Sequence, residues 1–352
     1  MQLKKIINST ECLKENNTFL KLENLSVGYS KKTILADINL SADWGELIAI
    51  IGRNGIGKST LMRTLARLQP ELSGEILLAG KPLNIYTRNE LAEKMSIVST
   101  ESPSVSHLTV RQLVAFGRFP YTNWIGKLTE KDISVINESM QLVGISHLAD
   151  KNIYEISDGE KQRAMIARTL AQDTDLILLD EPTAFLDMPN KYEVIQLMHQ
   201  LTRKKGKTII FSTHDLNIAI HEADKFWLMI NDQIFEGAPE DLIINKRLSG
   251  LFKGTGVQFD DHKGEFKIKK ENHSRIYLNG EGKNIFWIRK ALERIGYQVD
   301  ISGSDFPDPD HAYISLEKNT GHWILKQNEQ EMTFDSIYAL SRFLSDHHHP
   351  VR

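Results

Sequence analysis

The run LIAIIGRNGIGKS, residues 47–59, sets the architecture. Its first five residues are apolar throughout, the mark of a strand covered on both faces. GRNGIGKS, Gly52 to Ser59, then matches G-x-x-x-x-G-K-[ST], a loop that cradles phosphate between a strand and a helix. The glycines Gly52, Gly55 and Gly57, with Arg53 and Asn54 among them, free the backbone so that successive N–H groups face a β-phosphate. Lys58 reaches the β- and γ-phosphates, the Ser59 hydroxyl binds Mg²⁺, and Thr60 follows on the helix. A chance glycine-rich turn is the bland reading, but here the strand precedes and the helix pattern follows, as the motif requires.

Working outward, 352 residues suggest two domains or one large one. A hydrophobic share of 41% and a charged share of 25% are ordinary for globular protein. The net charge of −3 gives no global attraction to nucleic acid or anionic membrane. Cys12 is the only cysteine, so no intrachain disulfide forms, which fits a reducing compartment. Residues 1–17 are polar, do not read as a signal peptide and are expected to fray. No apolar run reaches membrane-spanning length, so a soluble protein is expected, with any membrane role coming through a partner.

Strands at 47–51, 176–179 and 207–213 alternate with helices from Ser59 to about Leu68, from about Asn190 to Arg203, and at 216–223. That alternation predicts an α/β fold with a parallel sheet covered by helices. Residues 107–172 read as mostly helical and lie between two strands, so they form an inserted subdomain at about 105–172. The first domain is bounded at 18–252. A polar, Gly-containing stretch follows Leu251, and residues 253–346 read as a small α+β domain with a 347–352 tail. Its helix NIFWIRKALERIG puts Ile285, Ile288, Leu292 and Ile295 on one face.

LILLDE, 176–181, is an apolar strand ending in two carboxylates. Asp180 orients Mg²⁺ from the strand tip, and Glu181, one residue on, polarises an attacking water as base. An Asp-Glu pair alone is as easily a solvated loop; the phosphate loop upstream in the same sheet tips the reading. His214, in FSTHD, ends another strand and is read as a γ-phosphate contact, although a lone histidine there is more often structural. EISDGEKQR, 155–163, places Ser157 and Gly159 just before a helical pattern, an anion site at a helix start.

The phosphate loop, ISDGEKQR, LILLDEP, FLD at 185–187 and STHD occur in one order over roughly residues 19–250. Together they resemble the ATP-binding cassette of ABC transporters. The resemblance implies a P-loop NTPase fold with its ABC-type helical subdomain, ATP and Mg²⁺ as ligands, and a head-to-tail homodimer. It implies that Ser157, Asp158, Gly159 and Glu160 are the signature loop, which meets the γ-phosphate bound by the second subunit. Asp187 would link the two sites, and Tyr29 would stack on adenine. The usual Leu-Ser-Gly-Gly-Gln is altered here: Asp158 and Glu160 bring negative charge, which should weaken ATP-driven closure unless they point outward or meet Lys161 or Arg163. Where the family places a glutamine that touches Mg²⁺, this chain has Thr100 and then Glu101.

Residues 110–132, with Gly117, Arg118, Pro120, Tyr121, Gly126 and Asp132, look like the helical subdomain of ATPases serving iron-chelate (siderophore), haem and cobalamin importers. This implies membrane-spanning permease partners, with Phe119, Tyr121 and Trp124 at their contact, a solute-binding protein acting indirectly, no nucleic acid, and a peripheral place on the cytoplasmic face of the inner membrane. The C-terminal domain carries no motif that the reading can name. NGEGKN, 279–284, is a strand-to-helix turn, and HHHP near the end reads as a polar tail. The rivals are a soluble ABC-type ATPase and a low-turnover regulatory nucleotide-binding module; the chain has neither a second cassette nor a basic charge to favour the first.

Overall fold

The computed structural model describes residues 17–30, 32–99, 107–123, 126–184, 186–261, 264–268, 274–302, 312–317, 321–327 and 330–346. Thr100, Glu101, Trp124, the tail and all of the N-terminal segment but Asn17 lie outside the described residues. The chain divides into two compact units, residues 1–255 with 259–265, and residues 256–258 with 266–352.

In the first unit, β1 (Thr18–Tyr29), β2 (Lys32–Asp43), β4 (Ser73–Leu78) and β5 (Lys81–Pro82) form an antiparallel sheet of order β2-β1-β4-β5. A second sheet, order β10-β9-β3-β8-β7-β6, holds β3 (Leu47–Gly52), β6 (Met95–Val98), β7 (Leu176–Leu179), β8 (Thr208–Ser212), β9 (Lys225–Ile230) and β10 (Gln233–Gly237). All its pairs are parallel except β9 with β10. β3 is apolar at every position because both its faces are covered. Leu47, Ala49 and Ile51 enter one core with the helices, while Ile48 and Ile50 enter another with β1 and β2. Each such leucine or isoleucine contributes roughly 1.5–3 kcal/mol by leaving water.

The helices of this unit are α1 (Lys58–Leu65), α2 (Arg88–Lys94), α3 (Val110–Ala115), α4 (Glu130–Leu142), α5 (Asp158–Ala171), α6 (Met188–Lys205), α7 (Leu216–Glu222) and α8 (Pro239–Ile244). The helix expected to reach Leu68 stops at Leu65, and Arg67 beyond it has φ +54°, which breaks the helical path. α6 starts before Asn190 because Asp187 caps it.

α3, α4 and α5 are the insertion between β6 and β7. After α3 the chain tightens into a 3-10 helix, Phe116–Tyr121, containing Pro120, which has no N–H to continue a regular ladder. Here the residues that suggested an importer subfamily build an anchor. Arg118 Nε donates to Asp132 at 2.8 Å, both side chains almost fully buried, and Arg118 Nη1 donates to the Ala171 carbonyl at 2.8 Å. Tyr121 lies 3.9 Å from the same guanidinium and its hydroxyl donates to the Gln172 carbonyl. A Cβ on Gly117 would stand 2.1 Å from the Arg168 carbonyl oxygen, so no side chain fits there. The Thr129 hydroxyl and N–H, with Arg118, pull the Asp132 pKa down to about 2. These residues fasten the insertion to the end of α5, whereas Phe119 stays exposed.

β11 (Val257–Asp260) and β12 (Glu265–Ile268) pair where the chain passes from one unit to the next. The second unit has a sheet of order β14-β13-β15-β16-β17, from β13 (Ser274–Asn279), β14 (Tyr297–Ser302), β15 (Ala312–Leu316), β16 (Trp323–Gln327) and β17 (Gln330–Phe334). α9 (Lys283–Arg294) crosses between the parallel pair β13 and β14, and α10 (Ile337–Asp346) ends the unit. Ile285, Ile288 and Leu292 are buried in its core, with Ile295 packed against them. β17 was not anticipated: QEMTF has only Met332 and Phe334 turned inward, too little apolar signal for a pattern reading. The turn after β13 uses Gly280 and Gly282 at φ +125° and +93° and leads straight into α9.

Candidate nucleotide site

Three neighbouring strands, β3, β8 and β7, end together, and the residues just past their carboxyl ends make the site. After β3, Gly55 and Gly57 take φ +78° and +114°, a conformation that a side chain would strain. Gly57 is the N-cap of α1 and offers no side chain to its N–H groups. α2, α3, α4, α5, α6 and α7 are all capped by Thr, Ser or Asp side chains. α1, like the short α8, lacks such a cap, and at α1 the open N–H groups and the positive end of the dipole face the glycine loop, as an anion requires.

Lys58 is 6% exposed, and its Nζ donates to the carbonyls of Gly52 at 2.9 Å and Arg53 at 3.3 Å. Burial lowers its pKa, while Glu181 and then Asp180 push it back up, so both carboxylates act on the lysine charge. Ser59 is exposed, and the Thr60 hydroxyl donates to Tyr29 Oη at 3.3 Å, which ties the exposed Tyr29 to the start of α1.

Past β7, Asp180 is 9% exposed and Glu181 has φ +51°, a left-handed backbone at a residue other than glycine. His214, past β8, is within 2.7 Å of Glu181 Oε1 through Nε2; a carboxylate only accepts, so the imidazole N–H donates. The histidine expected to touch phosphate thus touches the carboxylate in this structure. Sequence reading missed Ser212. It is 0% exposed, donates to Asp180 Oδ1 at 2.6 Å and accepts the Glu181 N–H at 2.9 Å. The available signal was one hydroxyl inside the apolar run TIIFS.

The signature candidates sit elsewhere in the unit. Ser157 caps α5 and closes a reciprocal box with Glu160: Ser157 N–H and Oγ donate to Glu160 Oε2 at 2.8 and 2.9 Å, and Glu160 N–H returns to Ser157 Oγ at 3.3 Å. The Ser157 N–H and then its hydroxyl hold the Glu160 carboxyl below the usual range. Asp158 meets Lys161 at 2.9 Å, one of the two resolutions expected for the extra charge; Glu160 takes neither and folds onto the serine. Arg163 instead pairs with Glu193 at 2.6 Å and with Asn190. Gly159 lies by Leu186, whose Cδ2 would stand 3.3 Å from a Cβ there. Asp187 caps α6 through the Asn190 N–H at 3.2 Å.

A glycine-rich loop opening an uncapped helix, facing an acidic strand tip in a parallel sheet, defines a P-loop nucleotide-hydrolysing domain. Comparison with known proteins agrees. Residues 35–184 match the ABC transporter family model, and residues 273–345 match the iron ABC transporter C-terminal domain. An ABC transporter ATP-binding protein of Methanocaldococcus jannaschii is 38% identical over 76% of this chain and 94% of its own. A petrobactin import ATP-binding protein of Bacillus anthracis is 38% identical over 66% of this chain and 86% of its own. Among solved structures, an inward-facing metal-chelate type ABC transporter superposes with TM-score 0.61 at 28% identity, over 71% of this chain and 96% of that one. A dimeric ATP-binding cassette with bound ADP and phosphate gives TM-score 0.56 at 25% identity, over 62% and 98%. The chain belongs to the ATP-binding subunits of ABC transporters and is an ATPase. The C-terminal unit, silent to motif reading, belongs to a domain type found with iron transporters.

Proposed function

We propose that this protein is the ATPase subunit of an importer for an iron chelate of the siderophore class, working as a homodimer beneath two permease subunits on the cytoplasmic side of the membrane. The observation that carries the substrate class is the pairing of the cassette with residues 273–345, the iron-transporter C-terminal domain. The siderophore relatives and the metal-chelate transporter support the same class. Among the described residues no helix is long and apolar enough to cross a membrane. Haem and cobalamin remain the competing cargoes. Reconstitution with the permease and solute-binding protein tests this: ferric siderophore should stimulate ATP turnover several-fold, and stimulation by cobalamin alone would reassign the cargo.

The residues fit ATP with Mg²⁺. Among the described residues no group of three or more His, Cys, Asp or Glu could hold a metal alone. Mg²⁺ suits such a place, since it is bound by few protein oxygens together with substrate phosphates. Ser59 and Asp180 would hold the ion, which would supply neutralisation of charge on the β- and γ-phosphates. Lys58 leaves the Gly52 and Arg53 carbonyls to meet the phosphates. Glu181 takes the proton of the attacking water, and His214, already bonded to it, orients its carboxylate and then reaches the γ-phosphate. Tyr29, held by Thr60, offers its ring to adenine.

The signature loop acts on the nucleotide of the second subunit. To bond that γ-phosphate, Ser157 Oγ must leave Glu160, whose charge opposes the phosphate at the same place. Closure of this cassette is therefore harder than with the neutral glutamine usual at that position, a feature suited to waiting for the loaded transporter.

A further inference from the structure

β8 runs through the sheet centre, and its alternation sends Ile210 and Ser212 to one face and Ile209 and Phe211 to the other. Position 212 is as dry as its apolar neighbours, at 0% exposure. Packing alone would be satisfied there by a small apolar side chain. A hydroxyl in such a place must be bonded, and both partners it finds belong to the reaction. It donates to the Asp180 carboxylate at 2.6 Å and accepts the Glu181 N–H at 2.9 Å. That second bond falls on the residue whose backbone sits at φ +51°.

We propose that Ser212 is a positioning residue for hydrolysis, one buried hydroxyl that aims Asp180 at Mg²⁺ and pins the left-handed backbone that presents Glu181 to the attacking water. The inference rests on the roles given above to Asp180 and Glu181. The register explains why this position can do so. Leu179, the last residue of β7, pairs with Phe211, so Ser212 is one residue further along and faces the turn where the two carboxylates stand. Pairing of Ile50 with Ser212 fixes it from the other side, at the mouth of the phosphate loop. One oxygen thus couples the geometry of Asp180 and Glu181, while the backbone of the same residue pairs with the strand that leads into the phosphate loop. Left-handed backbone at a non-glycine residue is strained and persists where surrounding bonds enforce it.

Ser212→Ala removes the hydroxyl and leaves a small residue that fits the site; Ser212→Thr restores the hydroxyl on a β-branched residue suited to a strand. The test measures affinity for a non-hydrolysable ATP analogue with and without Mg²⁺, amide hydrogen exchange at Glu181, and steady-state kinetics. In Ser212→Ala the gain in affinity from Mg²⁺ should shrink about tenfold, since a charge-assisted bond to Asp180 is lost, while Mg²⁺-free affinity holds. The Glu181 amide should exchange faster, and kcat should fall more than KM rises. Ser212→Thr should recover both binding and exchange. Unchanged Mg²⁺ dependence in Ser212→Ala, or equal loss with and without Mg²⁺, overturns the proposal, because a purely structural serine would give one of those results. Failure of the assignments beneath it reads differently: Asp180→Ala would then also leave the Mg²⁺ gain untouched.

Discussion

Helices α1 and α5 each begin at a glycine- or serine-bearing loop, and they begin in opposite ways. α1 starts at Gly57 with no side chain on its first N–H groups. α5 starts at Ser157 with its hydroxyl and N–H both held by Glu160. The first arrangement leaves its donors open to a ligand, with the Lys58 amine bonded to two carbonyls beside them. The second is satisfied by its own chain. The contrast teaches that a phosphate motif and a signature motif demand different things of the same helix start. In the proposed homodimer the first would be ready in the monomer, and the second would be released only when another subunit brings a phosphate that outcompetes the carboxylate.

The largest effect is expected at the phosphate-loop end. Glu181→Gln keeps the shape and the His214 contact but removes the base, so turnover should fall by about 10²–10⁴ with ATP binding intact. Near-normal turnover there would show that the open end lacks the chemistry assigned to it.

Next in size is the frame that holds α5. Asp132→Ala leaves Arg118 buried without its carboxylate and should cost about 3–5 kcal/mol in chemical unfolding. The same pair carries a pH signature. Because the Asp132 pKa is depressed to about 2, its stabilisation is complete above the ordinary carboxylate range and drains as pH falls toward 2. Wild type should therefore lose more stability than Asp132→Asn between about pH 4 and 2. Equal acid profiles would remove Asp132 from the frame.

A smaller effect sharpens the closed end. Glu160→Gln keeps the cap but drops the charge, so the ATP concentration for half-maximal dimer should fall by roughly tenfold, a charge-assisted bond being about twice a neutral one. An unchanged midpoint would make Glu160 a cap and nothing more. The smallest effect expected is from the C-terminal unit. Phe259 packs against the first unit's core and residues 259–265 belong to that unit, so the cut belongs after Glu265 and not near Lys253. The truncated protein should stay folded and keep its basal ATP turnover; a loss of folding would tie the cassette to the second unit.

These contrasts also show what the sequence could reveal. The parallel sheet was legible because β3 and β7 are apolar at every position and end in chemistry-bearing residues. The phosphate loop was legible because glycine spacing and lysine position encode backbone geometry directly. The box at Ser157 has the legible S-x-x-E spacing, yet weighing Glu160 only as a free charge missed that it bonds the serine itself. Ser212 was hidden because its importance lies in a register across two strands 32 positions apart from Asp180. The anchor of the insertion was hidden for the same reason, since Arg118 reaches Asp132 and Ala171 from separate helices. β17 was lost because an edge strand with one covered face carries only two inward residues.

In the proposed homodimer this chain carries two half-sites, each completed by another copy. Ser157→Arg tests it most directly, with ATP affinity of the monomer and the ATP-dependent dimer measured side by side in sedimentation. Nucleotide affinity of the monomer should be unchanged, with no dimer at any ATP concentration. Collapse of monomer affinity would mean that Ser157 serves its own nucleotide, and a normal ATP-dependent dimer would mean that it serves none; either result rules out a half-site at Ser157.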